Sequence, residues 1–293
     1  MGRDLAAQSA VARRVFEEAD EILGLPLSRL CFEGPDSELR MTQNTQPAIF
    51  VHSIAVLRAM DVQAGEAFHA AAGHSLGEYT AYVAARSLRF EDALRLVRSR
   101  GELMLRAGSE RPGTMAAVLG LDPQALEGVL AQVLGIVVPA NLNSPGQIVI
   151  SGEVAAVADA MERCKQAGAK RVIPLEVSGA FHSPLMEGAA RGLEDALASV
   201  TIEPARVQVY ANASASPVTE PDEIRRSLAR QLLSPVRWEE TVRAMLAADC
   251  RRFVEIGPGR VLAGLVRSID RNAVTMSVAL SEEIASFAQG GGA

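Results

Sequence analysis

Gly73-His74-Ser75-Leu76-Gly77 places a serine inside a G-x-S-x-G pattern. In such an elbow the serine sits on a strained strand-to-helix turn, and a Cβ at either flanking glycine is expected to clash. The turn exposes the serine Oγ and aims the first N–H groups of the next helix at an incoming carbonyl. The Leu76 N–H is therefore the expected oxyanion donor. A serine attacks only when a base takes its proton, and the chain offers four histidines, His52, His69, His74 and His182. His52 falls inside a predicted helix and His69 in the Ala-rich segment before the elbow, so both read as structural or surface residues. His74 adjoins the serine, but neighbours on a tight turn point apart. His182, in Gly179-Ala180-Phe181-His182-Ser183, falls in a loop at a predicted domain junction, where it can face a cleft. It is the preferred base.

These residues need elements to hold them. Apolar residues at helical spacing predict a helix over 11–23, and another over 48–60 with Pro47 at its first turn. Residues 66–72 read as a weak strand leading into the elbow, and 78–85 and 90–105 as helices, with 108–113 a break. The next stretch changes character. Strands are predicted at 115–119, 136–140, 147–151 and 171–177, and helices at 123–134 and 154–167, with a turn at Asn143-Ser144-Pro145-Gly146. The order β-α-β-β-α-β is the ferredoxin-like signature. The expected organisation is a small domain over 113–177 inserted into a larger α/β domain made of 1–112 and 178–293. Strands are also expected at 207–210 and 252–256, and the Gly-rich tail over 290–292 reads as unstructured.

Whole-chain quantities narrow the class. The 293 residues are 48% hydrophobic, 22% charged and 4% aromatic, so Ala, Leu and Val must fill the core of a compact domain. A formal charge of −6 and the lack of a Lys/Arg run argue against nucleic-acid binding. Cys31, Cys164 and Cys250 are odd in number and far apart, which suits neither a disulfide framework nor a metal site. Residues 1–5 hold no secretory apolar region, and no stretch approaches the ~18 apolar residues of a membrane span. The expectation is a soluble cytoplasmic protein with no membrane partner.

Several motifs in order resemble one family. Gly73-His74-Ser75-Leu76-Gly77-Glu78, Asn143-Ser144-Pro145-Gly146-Gln147, Gly179-Ala180-Phe181-His182-Ser183 and Glu255-Ile256-Gly257-Pro258-Gly259 are similar to those of malonyl-CoA:acyl carrier protein transacylases. Thr45-Gln46-Pro47-Ala48 and the stretch from Gln231 through Ser234-Pro235-Val236-Arg237-Trp238 resemble that family too, so the likeness spans nearly the whole chain. It implies an α/β-hydrolase-like large domain with a ferredoxin-like small domain inserted. It also implies transfer of a malonyl group from coenzyme A to acyl carrier protein in fatty acid biosynthesis. Ser75 would be the nucleophile and His182 the base. Arg100 would grip the malonyl carboxylate, although by its own sequence it is one charge among Arg95, Arg98 and Arg106. The Gln231 carbonyl would orient the histidine in place of an acid, and Gln46 and Phe181 would line the pocket. Coenzyme A and phosphopantetheine enter as parts of substrates, so no cofactor is expected. Lys165, Lys170 and Arg171 are candidates for docking an acidic carrier protein.

One departure stands out. In that family a strand and a Gly-Gln-Gly-Ser-Gln loop precede the segment resembling Met1-Gly2-Arg3-Asp4-Leu5, and the loop supplies a second oxyanion donor. Both are absent here, so the expectation is either a displaced start or an impaired relative, with apolar surface and unpaired backbone left exposed. Two other readings stay open. A serine esterase or thioesterase shares the elbow but has no need of Arg100, and a non-catalytic carrier-binding relative keeps the surface without the chemistry.

Overall fold

A computed structural model describes residues 1–290. Its first elements are α1 (Arg3–Gln8) and α2 (Ala10–Leu23); Ser9 between them caps α2 by accepting the Ala12 N–H. Helices α3 (Leu27–Glu33) and α4 (Asp36–Leu39) lead to α5 (Thr42–Met60). Pro47 lies inside α5 and does not begin it, one and a half turns later than the sequence suggested. A proline there cannot donate to the carbonyl of Gln43. That carbonyl instead accepts from Arg98 Nη1 at 2.9 Å, which lets the helix run through.

The strand before the elbow is only β1 (Ala70–Ala72), followed by α6 (Gly77–Ala84) and α7 (Phe90–Glu110). Helix α7 does not stop before Gly108, as the sequence suggested. A Cβ at Gly108 would lie 2.3 Å from the Ser178 carbonyl, and one at Gly101 would lie 2.7 Å from Gln43 Cα. Both glycines mark close approach of other chain segments to α7.

Next come β2 (Gly113–Leu119), α8 (Pro123–Leu130), β3 (Val137–Ser144), β4 (Gln147–Glu153), α9 (Val154–Gln166) and β5 (Arg171–Pro174). They form one antiparallel sheet in the order β3-β4-β2-β5. Alternation sets its two faces. Ala116, Val118, Ile148 and Ile150 pack with Val157 and Ala160 of α9, while Met115, Ala140 and Val149 face Phe181 on the other side.

The chain continues through α10 (Glu187–Ala198), β6 (Gln208–Tyr210), α11 (Pro221–Gln231), α12 (Trp238–Ala247), β7 (Arg252–Ile256), α13 (Val261–Ile269), β8 (Val274–Val278) and α14 (Ser281–Gly290). The parallel strands form two separate pairs, β1 with β6 and β7 with β8. Most of the core, including Phe16, Phe50, Tyr79, Leu94 and Leu193, lies among the helices of the larger unit. Of the Gly-rich tail, all but Gly290 lies outside the described residues. No helix among the described residues is long and apolar enough to cross a membrane.

Candidate active site

Ser75 sits between β1 and α6 with φ 52°, in the left-handed region that costs a non-glycine residue about 1–3 kcal/mol. The surroundings hold it there. Asn212, after β6, accepts the Ser75 N–H on Oδ1 at 2.6 Å and donates from Nδ2 to the Gly73 carbonyl at 2.7 Å. Gly73 has no room for a side chain, since a Cβ would fall 2.0 Å from the Gly77 carbonyl. Gly77 itself meets nothing within 4 Å, so only the first glycine is sterically required, contrary to the expectation for both. The Leu76 N–H, at the start of α6, is engaged by no group among the described residues and is free to receive an oxyanion.

His182 is also at positive φ, 56°, and is buried. Its Nε2 lies 2.8 Å from Ser75 Oγ. On the other side of the ring, Nδ1 is 3.0 Å from the Gln231 carbonyl and 3.1 Å from that of Ser234. Carbonyls only accept, so Nδ1 carries the proton and Nε2 offers its lone pair to the serine hydroxyl. The Ser234 carbonyl was not legible as a partner. Burial, and next the Arg100 charge, push the imidazole pKa down to about 3, which keeps the ring neutral and able to accept a proton.

The other histidines turn elsewhere. His74 Nε2 pairs with Asn143 Oδ1 at 2.8 Å and the ring packs near Trp238. His52 is buried within α5, where burial pushes its pKa down to about 4, and His69 is exposed.

Arg100, on α7, is 1% exposed, an unusual place for a cation. Its Nη1 donates to Gln46 Oε1, and its Nη2 donates to Ser75 Oγ and to Gln231 Oε1, both at 3.0 Å. Nε has no partner, and among the described residues no carboxylate lies within ion-pair distance. Burial disfavours the charge and lowers the pKa, while the Tyr79 ring, 5.9 Å away, and the Glu78 carboxyl offer partial compensation. A guanidinium with a spare donor, beside a serine hydroxyl and short of an anion, suits a substrate carboxylate.

Gln46 donates from its amide nitrogen to Met104 Sδ at 3.3 Å and turns its oxygen to Arg100. Gln46 and Phe181 both line a cavity of about 610 Å³ that opens onto Ser75 and Arg100. Glu78, on α6, stands at the end of the elbow motif but drew no role from the sequence; it is fully buried, and burial raises its pKa to about 7.

Comparison with known proteins then bears on this arrangement. Residues 1–282 match the family model described as an acyl transferase domain. The malonyl CoA-acyl carrier protein transacylase of Bacillus subtilis is 48% identical over 287 residues, which is 97% of this chain and 90% of that protein. The Escherichia coli K12 protein of the same name is 42% identical, over 91% of this chain and 87% of its own length. This chain belongs to the malonyl-CoA:acyl carrier protein transacylase family. Solved structures agree. An acyl-carrier-protein S-malonyltransferase from Bartonella henselae superposes with a TM-score of 0.95 at 41% identity, covering 99% of this chain and 94% of that one. A transacylase solved with its type II polyketide acyl-carrier protein superposes at 0.93 with 40% identity, covering 98% and 93%. The α/β-hydrolase-like unit with a ferredoxin-like sheet is thus the family's two-domain acyltransferase fold.

Proposed function

We propose that this protein transfers a malonyl group from coenzyme A to the phosphopantetheine thiol of acyl carrier protein, through a malonyl ester on Ser75, in fatty acid biosynthesis. The observation that carries the reading is the buried Arg100, which holds no carboxylate yet touches the serine hydroxyl. Ser75 Oγ attacks the thioester carbonyl as His182 Nε2 takes its proton, and the developing oxyanion turns to the Leu76 N–H. Collapse breaks the C–S bond, and the imidazolium returns the proton to the departing coenzyme A thiolate. The carrier thiol then repeats the sequence in reverse: His182 takes its proton, sulfur attacks the ester carbonyl, and Ser75 Oγ leaves with the proton. Arg100 holds the malonyl carboxylate in both half-reactions, and the two carbonyls on Nδ1 steady the imidazolium. No cofactor is required. The boundaries proposed for the domains are 1–112 with 178–293, and 113–177. The reaction is assigned to the cytoplasm.

Incubation with malonyl-CoA followed by intact mass tests this. A malonyl adduct that maps to Ser75 and moves to added carrier protein is expected. Release of free malonate would instead identify a serine hydrolase, and bound but unlabelled protein would identify a binding module.

A further inference from the structure

The carboxylate of Glu78 takes no part in the chemistry above, yet three parts of the site converge on it. Its Oε2 accepts the Asn212 backbone N–H at 3.0 Å and the Gln231 side-chain Nε2 at 2.8 Å. Asn212 in turn brackets the elbow through Ser75 N and Gly73 O. Gln231 reaches all the rest: Nε2 also donates to the Ser75 carbonyl at 3.0 Å, Oε1 accepts from Arg100, and the backbone carbonyl accepts from His182 Nδ1. Glu78, Asn212 and Gln231 are each no more than 1% exposed.

We propose that Glu78 is a positioning residue: its one shared oxygen locks the serine elbow, the histidine's carbonyl partner and the arginine into a single geometry. The reason is topological. Ser75 leads into α6, Asn212 follows β6, and Gln231 ends α11, so no single element sets their spacing. Two donors held to one oxygen fix that spacing directly, and without an acceptor the Gln231 amide is free to rotate away from both Ser75 and Arg100. Productive geometry tolerates about 0.5 Å, and a displacement near 1 Å costs about 10²-fold in rate.

The proposal rests on the roles given to Ser75 and His182, so its test carries one readout that does not need turnover. Glu78→Leu keeps the bulk and removes the acceptor; Glu78→Gln keeps an acceptor oxygen. Rapid quench with malonyl-CoA gives both the final labelled fraction at Ser75 and the labelling rate per competent molecule. The downfield proton NMR signal of the His182 Nδ1–H, assigned by its loss in His182→Ala, reports the ring's seat without chemistry. Glu78→Leu is expected to label fully but about 10²-fold more slowly, with that signal lost. Glu78→Gln is expected to stay within about threefold of the parent and to keep the signal. Unchanged rate and signal in Glu78→Leu overturn the proposal. So does a reduced labelled fraction at unchanged rate, because that marks a residue needed only for folding. A Glu78→Gln protein as slow as Glu78→Leu overturns the shared-acceptor argument. A parent protein that keeps the signal but never labels refutes the transfer reaction, and the signal in the two variants then still decides for or against Glu78.

Discussion

Replacing Arg100 by alanine is the sharpest perturbation the site allows, because its effect should divide by substrate. Two charge-assisted bonds to a malonyl carboxylate are worth about 1.5–3 kcal/mol each, against about 0.5–1.5 for bonds to neutral acceptors. Nη1 and Nη2 already serve the neutral oxygens of Gln46, Gln231 and Ser75. The carboxylate therefore gains only the surplus, about 1–1.5 kcal/mol per bond, or about 2–3 kcal/mol for the pair. At about 1.4 kcal/mol per decade this is roughly a 30- to 150-fold change. Acetyl-CoA has no carboxylate, so its loss should come only from the disturbed Gln46, Gln231 and Ser75, a loss that malonyl-CoA shares. With both thioesters in one tube and intact mass counting the adducts, the malonyl-to-acetyl ratio of kcat/KM should fall about 30- to 150-fold. Arg100→Lys, which keeps a charge but cannot fork, should give a ratio between those of the parent and Arg100→Ala. Equal losses for acetyl and malonyl would refute the carboxylate role, whatever the size of the loss.

Particular contacts set three other expected outcomes. His182→Ala should slow both acylation by malonyl-CoA and discharge to carrier protein, by comparable factors in single-turnover quench, because one imidazole moves the proton in each direction. Glu78 links pH to stability: its pKa is about 7 when folded against an ordinary 4.5, so the unfolded chain ionises first as pH rises. That contribution is complete below pH 4.5 and is lost as pH climbs through 7, by about 3 kcal/mol at most. Urea unfolding at about pH 5 and about pH 8 should show the parent losing ground to Glu78→Gln over that interval, and any constant cost of the amide cancels in the comparison. Gly108→Ala would push a methyl to 2.3 Å from the Ser178 carbonyl. It should lower the melting temperature and slow Ser75 labelling together, because residue 178 lies in the connection, 175–183, that carries His182.

What was legible from sequence tracks the range of the forces involved. The small sheet could be read strand by strand, since alternation within β2 and β4 is local and each face has its own cover. The elbow was legible because its strain demands particular residues in consecutive positions, as the crowding at Gly73 shows. Errors arose where a distant segment decided the outcome. Pro47 looks like a helix start until Arg98 takes over the stranded Gln43 carbonyl, and Gly108 looks like a break until Ser178 is packed against it. The same limit governs the site. Arg100 is one of several arginines on α7, and only its burial beside Ser75 and Gln231 separates it from Arg95 and Arg98, which pair with Glu91 and Glu102 at the surface. Glu78 closes the Gly73–Glu78 motif, but its role was unreadable for a related reason: a glutamate in the first turn of a helix is ordinary, favoured by the helix dipole whatever else it does. Its distinction is made by Asn212 and Gln231, more than 130 residues further along the chain, which donate to one oxygen. A short motif can name the atoms that react. The groups that hold them in register come from whatever the fold stacks behind the motif.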